Sequence, residues 1–439
     1  MEPLAELVQA HAELNQPLVQ QSLSRRRLLG ASALTGVGWL TPVAEVLARR
    51  AERVRREHAQ SVILLWLAGG PSQLETFDPH PGAAISAGTT AIDTCLSGVQ
   101  LATGFDRLAE EMADVSLVRS LVSKEGDHER GTYLVKTGYR PDPTLVHPSI
   151  GAICCHQLPV GPVEIPRHVS ILPGQWPARG GYLGNQFDAF KTLDPAKRVP
   201  DVASQVPAER QTVRLSDRAV VDAAFLPGRR RAVEATMHGA MIEQALAMMG
   251  SAQLRAFETS DEPAAVCAAY GDTPFGRGCL AARRLIEQGV RCVEVTLAGW
   301  DSHTKNHETH ERLIKILDPA FAALIADLRE RDLLRHTVVL CGGEFGRTPR
   351  VNPLEGRDHW PHGFSMAMAG GGVRGGQVIG ETDPEGGKKV ADPRSVADVH
   401  ATVLTALGID PAHEEMTPVG RPMKFSEGAA IAELLDMSI

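Results

Sequence analysis

The sequence predicts an α/β fold, a mostly parallel sheet with helices on both faces. Three observations carry this. Short, near-continuous apolar runs recur along the chain, as strands buried on both faces require. Segments with apolar residues at helical spacing lie between them. The apolar runs end at glycine pairs or Pro-Gly, the punctuation of a strand-to-loop turn.

The elements follow in order. Residues 61–67 (SVILLWL) form a strand that ends at Gly69-Gly70, and 114–120 (DVSLVRS) form a second. Residues 168–172 precede Pro173-Gly174 as a third. The block 176–275 reads as an insertion or cap: 188–210 is polar with few periodic signals, and 229–257 reads as one long helix rich in Ala and Met. A helix over 278–287 is closed by Gly289, and 290–297 (VRCVEVTL) is the next strand. Residues 313–332 are apolar at helical spacing and lead into a strand over 336–340. A short strand over 364–369 follows, then a glycine-rich hairpin or exposed loop over 370–387, then a helix over 396–407 closed by Gly408. No internal repeat is present.

Composition bounds the function class. With 439 residues, 43% hydrophobic and 22% charged, the chain reads as an ordinary globular protein with a large core. Ser24-Arg25-Arg26-Arg27-Leu28-Leu29 precedes an apolar stretch over 28–40, the layout of a twin-arginine export signal. That stretch is too short to span a bilayer. The first 56 residues hold eight Arg, no Lys and five Glu, so the net charge of −8 becomes −11 without them. The remainder, 57–439, is an acidic single domain without the basic footprint of a nucleic-acid binder. Seven cysteines, an odd number without zinc-finger spacing, make no disulfide framework and read mostly as small buried hydrophobes.

Two loops carry the chemistry. The strand over 336–340 breaks at Gly342-Gly343, and the loop beyond offers Glu344, Asp358, His359 and His362. The strand over 290–297 leads into Gly299-Trp300-Asp301-Ser302-His303. In α/β proteins ligands bind beyond the carboxyl ends of strands. Carboxylate and imidazole donors at two such ends suit a divalent metal, zinc, manganese or calcium. Asp301 and His303 alternate, so in extended backbone they face one side and reach one ion. Glu344 either ligates the ion or pairs with Arg347 or Arg350. The planar fork of Arg347 suits a phosphate or sulfate.

Six stretches carry a family resemblance: LWLAGGPSQLETFDP (65–79), HERGTYLVKTGYRP (128–141), HPSIGAI (147–153), GWDSH (299–303), GEFGRTP (343–349) and GRDHWP (356–361). Together they resemble the bacterial family catalogued as domain of unknown function 1501, whose members look like sulfatases. The resemblance implies an alkaline phosphatase and sulfatase type of fold, with metal ions at the carboxyl edge of the sheet. Its Asp-His-Gly strand end corresponds to Glu344-Phe345-Gly346, where Phe345 cannot replace the imidazole. Its later Asp-His pair corresponds to Asp358-His359, and an Asp with a following His to Asp301 and His303, with His307 competing. Its first strand ends in a metal-binding Asp, where this chain has Gly69-Gly70. Its nucleophile register, counted back nine residues from Thr137-Gly138, falls on His128. The resemblance therefore implies metal ligation by Asp301, His303, Glu344 and His359, and catalysis by His128 with Arg347. His128 lies between Asp127 and Glu129, and a neighbouring carboxylate raises and orients an imidazole.

The expected function is an exported, periplasmic or extracellular, metal-dependent hydrolase of phosphate or sulfate esters. Its expected partners are the twin-arginine export machinery and an anionic small-molecule or glycan ester, with no nucleic acid and no stable membrane span. The alternative is a non-catalytic exported binding protein that keeps the fold and one structural metal.

Overall fold

The computed structural model of the chain describes residues 58–229 and 237–436, so the expected leader over 1–56 lies outside the described residues. Eleven strands position the site: β1 (Ser61–Ala68), β2 (Val115–Val122), β3 (His168–Ile171), β4 (Phe190–Thr192), β5 (Cys292–Ala298), β6 (Thr337–Gly342), β7 (Gly346–Arg347), β8 (His359–Trp360), β9 (Phe364–Ala369), β10 (Val378–Ile379) and β11 (Arg394–Ser395). Nine of them form one sheet in the order β10-β2-β9-β6-β1-β5-β3-β4, with β11 also on β2. β9 alone runs antiparallel to its neighbours, β2 and β6. β7 and β8 pair as a separate two-residue ribbon.

The continuous apolar runs have a simple physical cause. Alternate residues of one strand enter two different cores. Ile63, Leu65 and Leu67 of β1 pack on one face, under the helices Pro274–Glu287 and Asn306–Glu330. Val62, Leu64 and Trp66 pack on the other, with His128–Thr137, Ile150–Gln157 and Val396–Ala406. A strand covered on both faces has no solvent side to mark with polar residues.

The helices of the described residues include α1 (His128–Thr137), α2 (Ile150–Gln157), α3 (Ala208–Phe225), α4 (His238–Gly250), α5 (Pro274–Glu287), α6 (Asn306–Glu330) and α7 (Val396–Ala406). The block 176–275 corrects two expectations. The single helix over 229–257 is instead α4, entered through left-handed Met237 and followed at Ser251 by a separate 3-10 turn, Ala252–Phe257. The polar stretch leads into α3, none of whose residues is buried. The segment 370–387 is not a hairpin, because β10 within it pairs in parallel with β2.

β1 lies between β5 and β6, so the loops after these three strands meet at one edge. Gly69 makes that meeting possible. Its φ is +117°, and a Cβ there would stand 2.4 Å from the backbone nitrogen of Asp301. α1 then lies close over the same edge. Asp127 caps its amino end by accepting from the Arg130 N–H at 3.1 Å, and Gly138 ends it in the left-handed conformation. A Cβ on Gly131 would meet Glu344 Cβ at 3.2 Å, so the glycine sets how near α1 comes.

A buried ion pair pins α1 to the sheet. Lys136 Nζ donates to Glu294 Oε1 at 2.9 Å and to the Trp176 carbonyl at 3.0 Å, and it sits 5.0 Å from the Trp66 ring centre. Both charges are almost fully buried. Removing one partner strands the other, which costs far more than the pair contributes. Lys136→Met should therefore lower the unfolding free energy by about 3–5 kcal/mol, read from urea denaturation. Adding Glu294→Gln should recover most of it. A small loss in the single variant would show that the pair is hydrated.

Candidate metal centre

Four side chains converge at the carboxyl edge of the sheet. Asp301 and His303 come from the loop after β5, His359 from β8, and His128 is the first residue of α1. Asp301 Oδ1 stands 3.2 Å from His303 Nε2 and 3.4 Å from His359 Nε2. Its other oxygen, Oδ2, is 3.4 Å from His128 Nε2. The two nitrogens His303 Nε2 and His359 Nε2 are 3.0 Å apart. Donor atoms of His128, Asp301 and His359 lie within 4.8 Å of one another.

The far side of each ring fixes its tautomer. His359 Nδ1 is 2.7 Å from the Gly126 carbonyl, which only accepts, so this nitrogen carries the hydrogen. His303 Nδ1 donates to Asp358 Oδ1 at 2.8 Å, and His128 Nδ1 to Glu344 Oε1 at 2.8 Å. In their neutral form these rings present Nε2 lone pairs to the Asp301 carboxylate. This is how proteins orient metal-binding imidazoles. Two lone pairs at 3.0 Å repel unless a cation or a proton lies between them. Tetrahedral zinc, with bonds of about 2.0–2.1 Å, separates its ligand atoms by roughly 3.3 Å. The spacing fits.

Charge sharpens the arrangement. Burial pushes the His359 imidazole below its ordinary range, which keeps its lone pair free near neutral pH. The hydrogen bond from His128 to Glu344 outweighs burial and raises the His128 imidazole above that range. Burial opposes the charge on Asp301, but Arg347 more than compensates and holds its carboxyl below the usual range.

Arg347 departs from its expected part. It is fully buried, and its guanidinium donates to Asp301 Oδ1 at 2.6 Å, to the Gly70 and Arg357 carbonyls at 2.8 and 3.0 Å, and to the Gly69 carbonyl. A fork so occupied tethers the β1 loop to Asp301 rather than facing a substrate anion. Glu344 also departs. It pairs with neither Arg347 nor Arg350 and instead accepts from His128 and from the Gly69 N–H at 3.0 Å, while its buried Oε2 has no partner. It stands behind His128. Phe345 packs against His128 and His359, with ring centres 5.1 and 4.5 Å apart.

Other polar residues near the site are engaged elsewhere. Arg130 pairs with Glu125, Lys136 is the buried cation described above, and His362 packs edge-on against Trp360. His307 stands 3.3 Å from Glu75, whose carboxylate is held by buried Arg357. Asp78 anchors Thr382 and His80. His128 meets Asp301 directly. Sequence reasoning missed the pairing of Asp358 with His303 and of the Gly126 carbonyl with His359. Those partners are 55 and 233 residues apart, with no local signal.

Residues 59–435 match the family described as "Protein of unknown function (DUF1501)". The chain belongs to this family. No curated protein matches the sequence. Several solved structures resemble this DUF1501 chain at low identity, three of them as follows. A sulfatase from Pseudoalteromonas sp. is 10% identical with a TM-score of 0.38, over 83% of this chain and 70% of that one. A lipoteichoic acid synthase from Listeria monocytogenes is 9% identical at 0.36, over 87% and 77%. An alkaline phosphatase from the Antarctic bacterium TAB5 is 11% identical at 0.37, over 81% and 99%. Likenesses of this size carry no argument about what this chain does. No described helix is long and apolar enough to cross a membrane.

Two buried imidazoles brace the site. His310 Nε2 accepts from the Ser72 N–H at 2.9 Å, and His400 Nε2 donates to the Val135 carbonyl at 2.8 Å on α1. Burial pushes each down to about 4 from an ordinary 6.5. Between those values the unfolded chain binds more protons, so stability is full above about pH 6.5 and falls as pH drops towards 4. Each ring should cost roughly 3 kcal/mol once fully below that window. Denaturation midpoints measured from pH 7 to 4 should fall accordingly, and His400→Leu should flatten the slope. An unchanged slope in that variant would contradict the assignment.

Proposed function

We propose that this DUF1501 chain is a metal-dependent hydrolase of phosphate or sulfate esters that acts outside the cytoplasm. One observation supports it above the rest: three imidazoles with committed Nδ1–H groups face one carboxylate where α/β enzymes bind their ligands. Asp301, His303 and His359 would hold the ion, since their donors stand 3.0–3.4 Å apart. Two imidazoles suit zinc, the added carboxylate admits manganese, and calcium, which takes oxygen ligands, is disfavoured. A divalent ion there supplies Lewis acidity, polarising an ester oxygen and lowering the pKa of adjacent water.

The chain's own residues divide the remaining work. Arg347 fixes Asp301, and Asp358 and the Gly126 carbonyl fix the two ligand rings. His128, held from behind by Glu344, moves the proton at Nε2. Water, giving up its proton to His128, is the attacking group in this reading. The Ser24–Leu29 sequence supports export, and free cysteines are compatible with a chain that folds in the reducing cytoplasm before export. The expected substrate is an anionic small molecule or glycan ester.

A second reading rests on Phe345. Its ring stands against two of the imidazoles, where the family resemblance would place another ligand. A binding protein with one structural metal would tolerate that.

An assay separates the two. Chelated protein given back zinc or manganese should cleave an aryl phosphate or aryl sulfate. His359→Ala should lose both the ion and the activity. His128→Ala should keep the ion yet lose about 10²-fold or more in kcat, the scale of acid–base help. Metal uptake without turnover of either ester would favour the binding protein. Loss of the ion in His128→Ala would make His128 a ligand.

A further inference from the structure

A second site lies at the opposite edge of the sheet. A cavity of about 730 Å³ opens between the first residues of β3 and β4 and helix α4. Arg167 immediately precedes β3 and Phe190 begins β4, so the cavity sits at the amino ends of these strands. The candidate metal centre lies at the carboxyl ends. The volume is in the range of small-molecule sites, roughly 300–1,000 Å³.

The walls have two characters. Phe187, Phe190, Met241 and Met248 supply apolar surface. Arg167 and Lys191 supply charge. Arg167 Nη1 is buried with no hydrogen-bond partner. Among the described residues neither Arg167 nor Lys191 has a carboxylate partner. The neighbouring Arg291 spends its guanidinium on the carbonyls of Gln60 and Pro159 and the Gln60 side chain, and its buried Nε is also unpartnered.

The other polar groups of the wall, the Asp188 carboxylate among them, make no ion pair with Arg167 or Lys191. The thiol of Cys155, which lines the cavity, is pushed up to about 12 by burial and stays neutral. Asp188 also lines the cavity, but its Oδ1 accepts from the Gly180 N–H at 2.6 Å. His168 donates Nδ1–H to the Phe187 carbonyl at 2.8 Å. A chain of net charge −8 has carboxylates to spare for its arginines. An unpaired guanidinium in the wall of an apolar cavity is available to an external anion.

We propose that this cavity binds a medium-chain carboxylate, with its headgroup on Arg167 and its hydrocarbon against Phe187, Phe190, Met241 and Met248. The planar guanidinium matches a carboxylate in two-point geometry, and Lys191 adds charge at the rim. An alcohol of the same length would fill the apolar wall and leave Arg167 unpaired. The site is independent of the metal centre, and neither reading needs the other.

Calorimetric titration of the full chain with decanoate, below its micelle concentration, tests this. Saturable binding is expected. Arg167→Met should weaken it by about tenfold or more, the scale of one lost charge-assisted hydrogen bond. Met241→Glu, at a half-exposed position that tolerates change, should weaken it similarly by opposing the anion. Decanol should bind at least about tenfold more weakly than decanoate. The proposal is overturned if decanoate does not bind saturably or if decanol binds as well. It is also overturned if decanoate binds Met241→Glu, or a folded Arg167→Met, as tightly as the unmodified chain.

Discussion

Two imidazole nitrogens, Nε2 of His303 and Nε2 of His359, stand 3.0 Å apart with both Nδ1–H groups already donated. Neutral rings so arranged point lone pair at lone pair. The fold holds them there through a backbone carbonyl, a carboxylate and the ribbon of β7 and β8, and a cation between them turns the repulsion into attraction. Asp301 adds the compensating negative charge, and buried Arg347 keeps that carboxylate ionised and in place. The surrounding architecture can be understood as what this one approach demands.

The demand is met by sheet order. Placing β1 between β5 and β6 brings three loops together that lie far apart in sequence. A side chain at Gly69 would push the loop of Asp301 away. Helix α1 closes the fourth side, drawn in at Gly131, clamped by Lys136 on Glu294 and braced by His400. Its first residue, His128, therefore reaches Asp301 directly. Each of these supports is buried, so it resists the strain of keeping like groups close.

The sequence revealed the parts of this that are local. Strand ends were legible because an apolar run stopped at glycine, and Asp301, His303 and His359 were legible because they follow such ends or sit in their loops. The direction of β9 was not, since FSMAMA buries equally well running either way. α3 is illegible because its exposed surface imposes no apolar stripe, and the bounds of α4 depend on a left-handed Met237 at its start and an extended Ser251 at its end, which side-chain pattern does not encode. The parts of Arg347 and Glu344 were also hidden. Both are chemically fit for a ligand or a substrate, and only tertiary burial commits them to holding Asp301 and His128.

The most direct measurement is X-ray absorption on the protein loaded with zinc and dialysed against buffer. The account predicts about one retained ion, with a nitrogen and oxygen shell near ~2.0 Å and the outer scattering of at least two imidazoles. Zinc lost on dialysis, or an oxygen-only shell without imidazole, would contradict it.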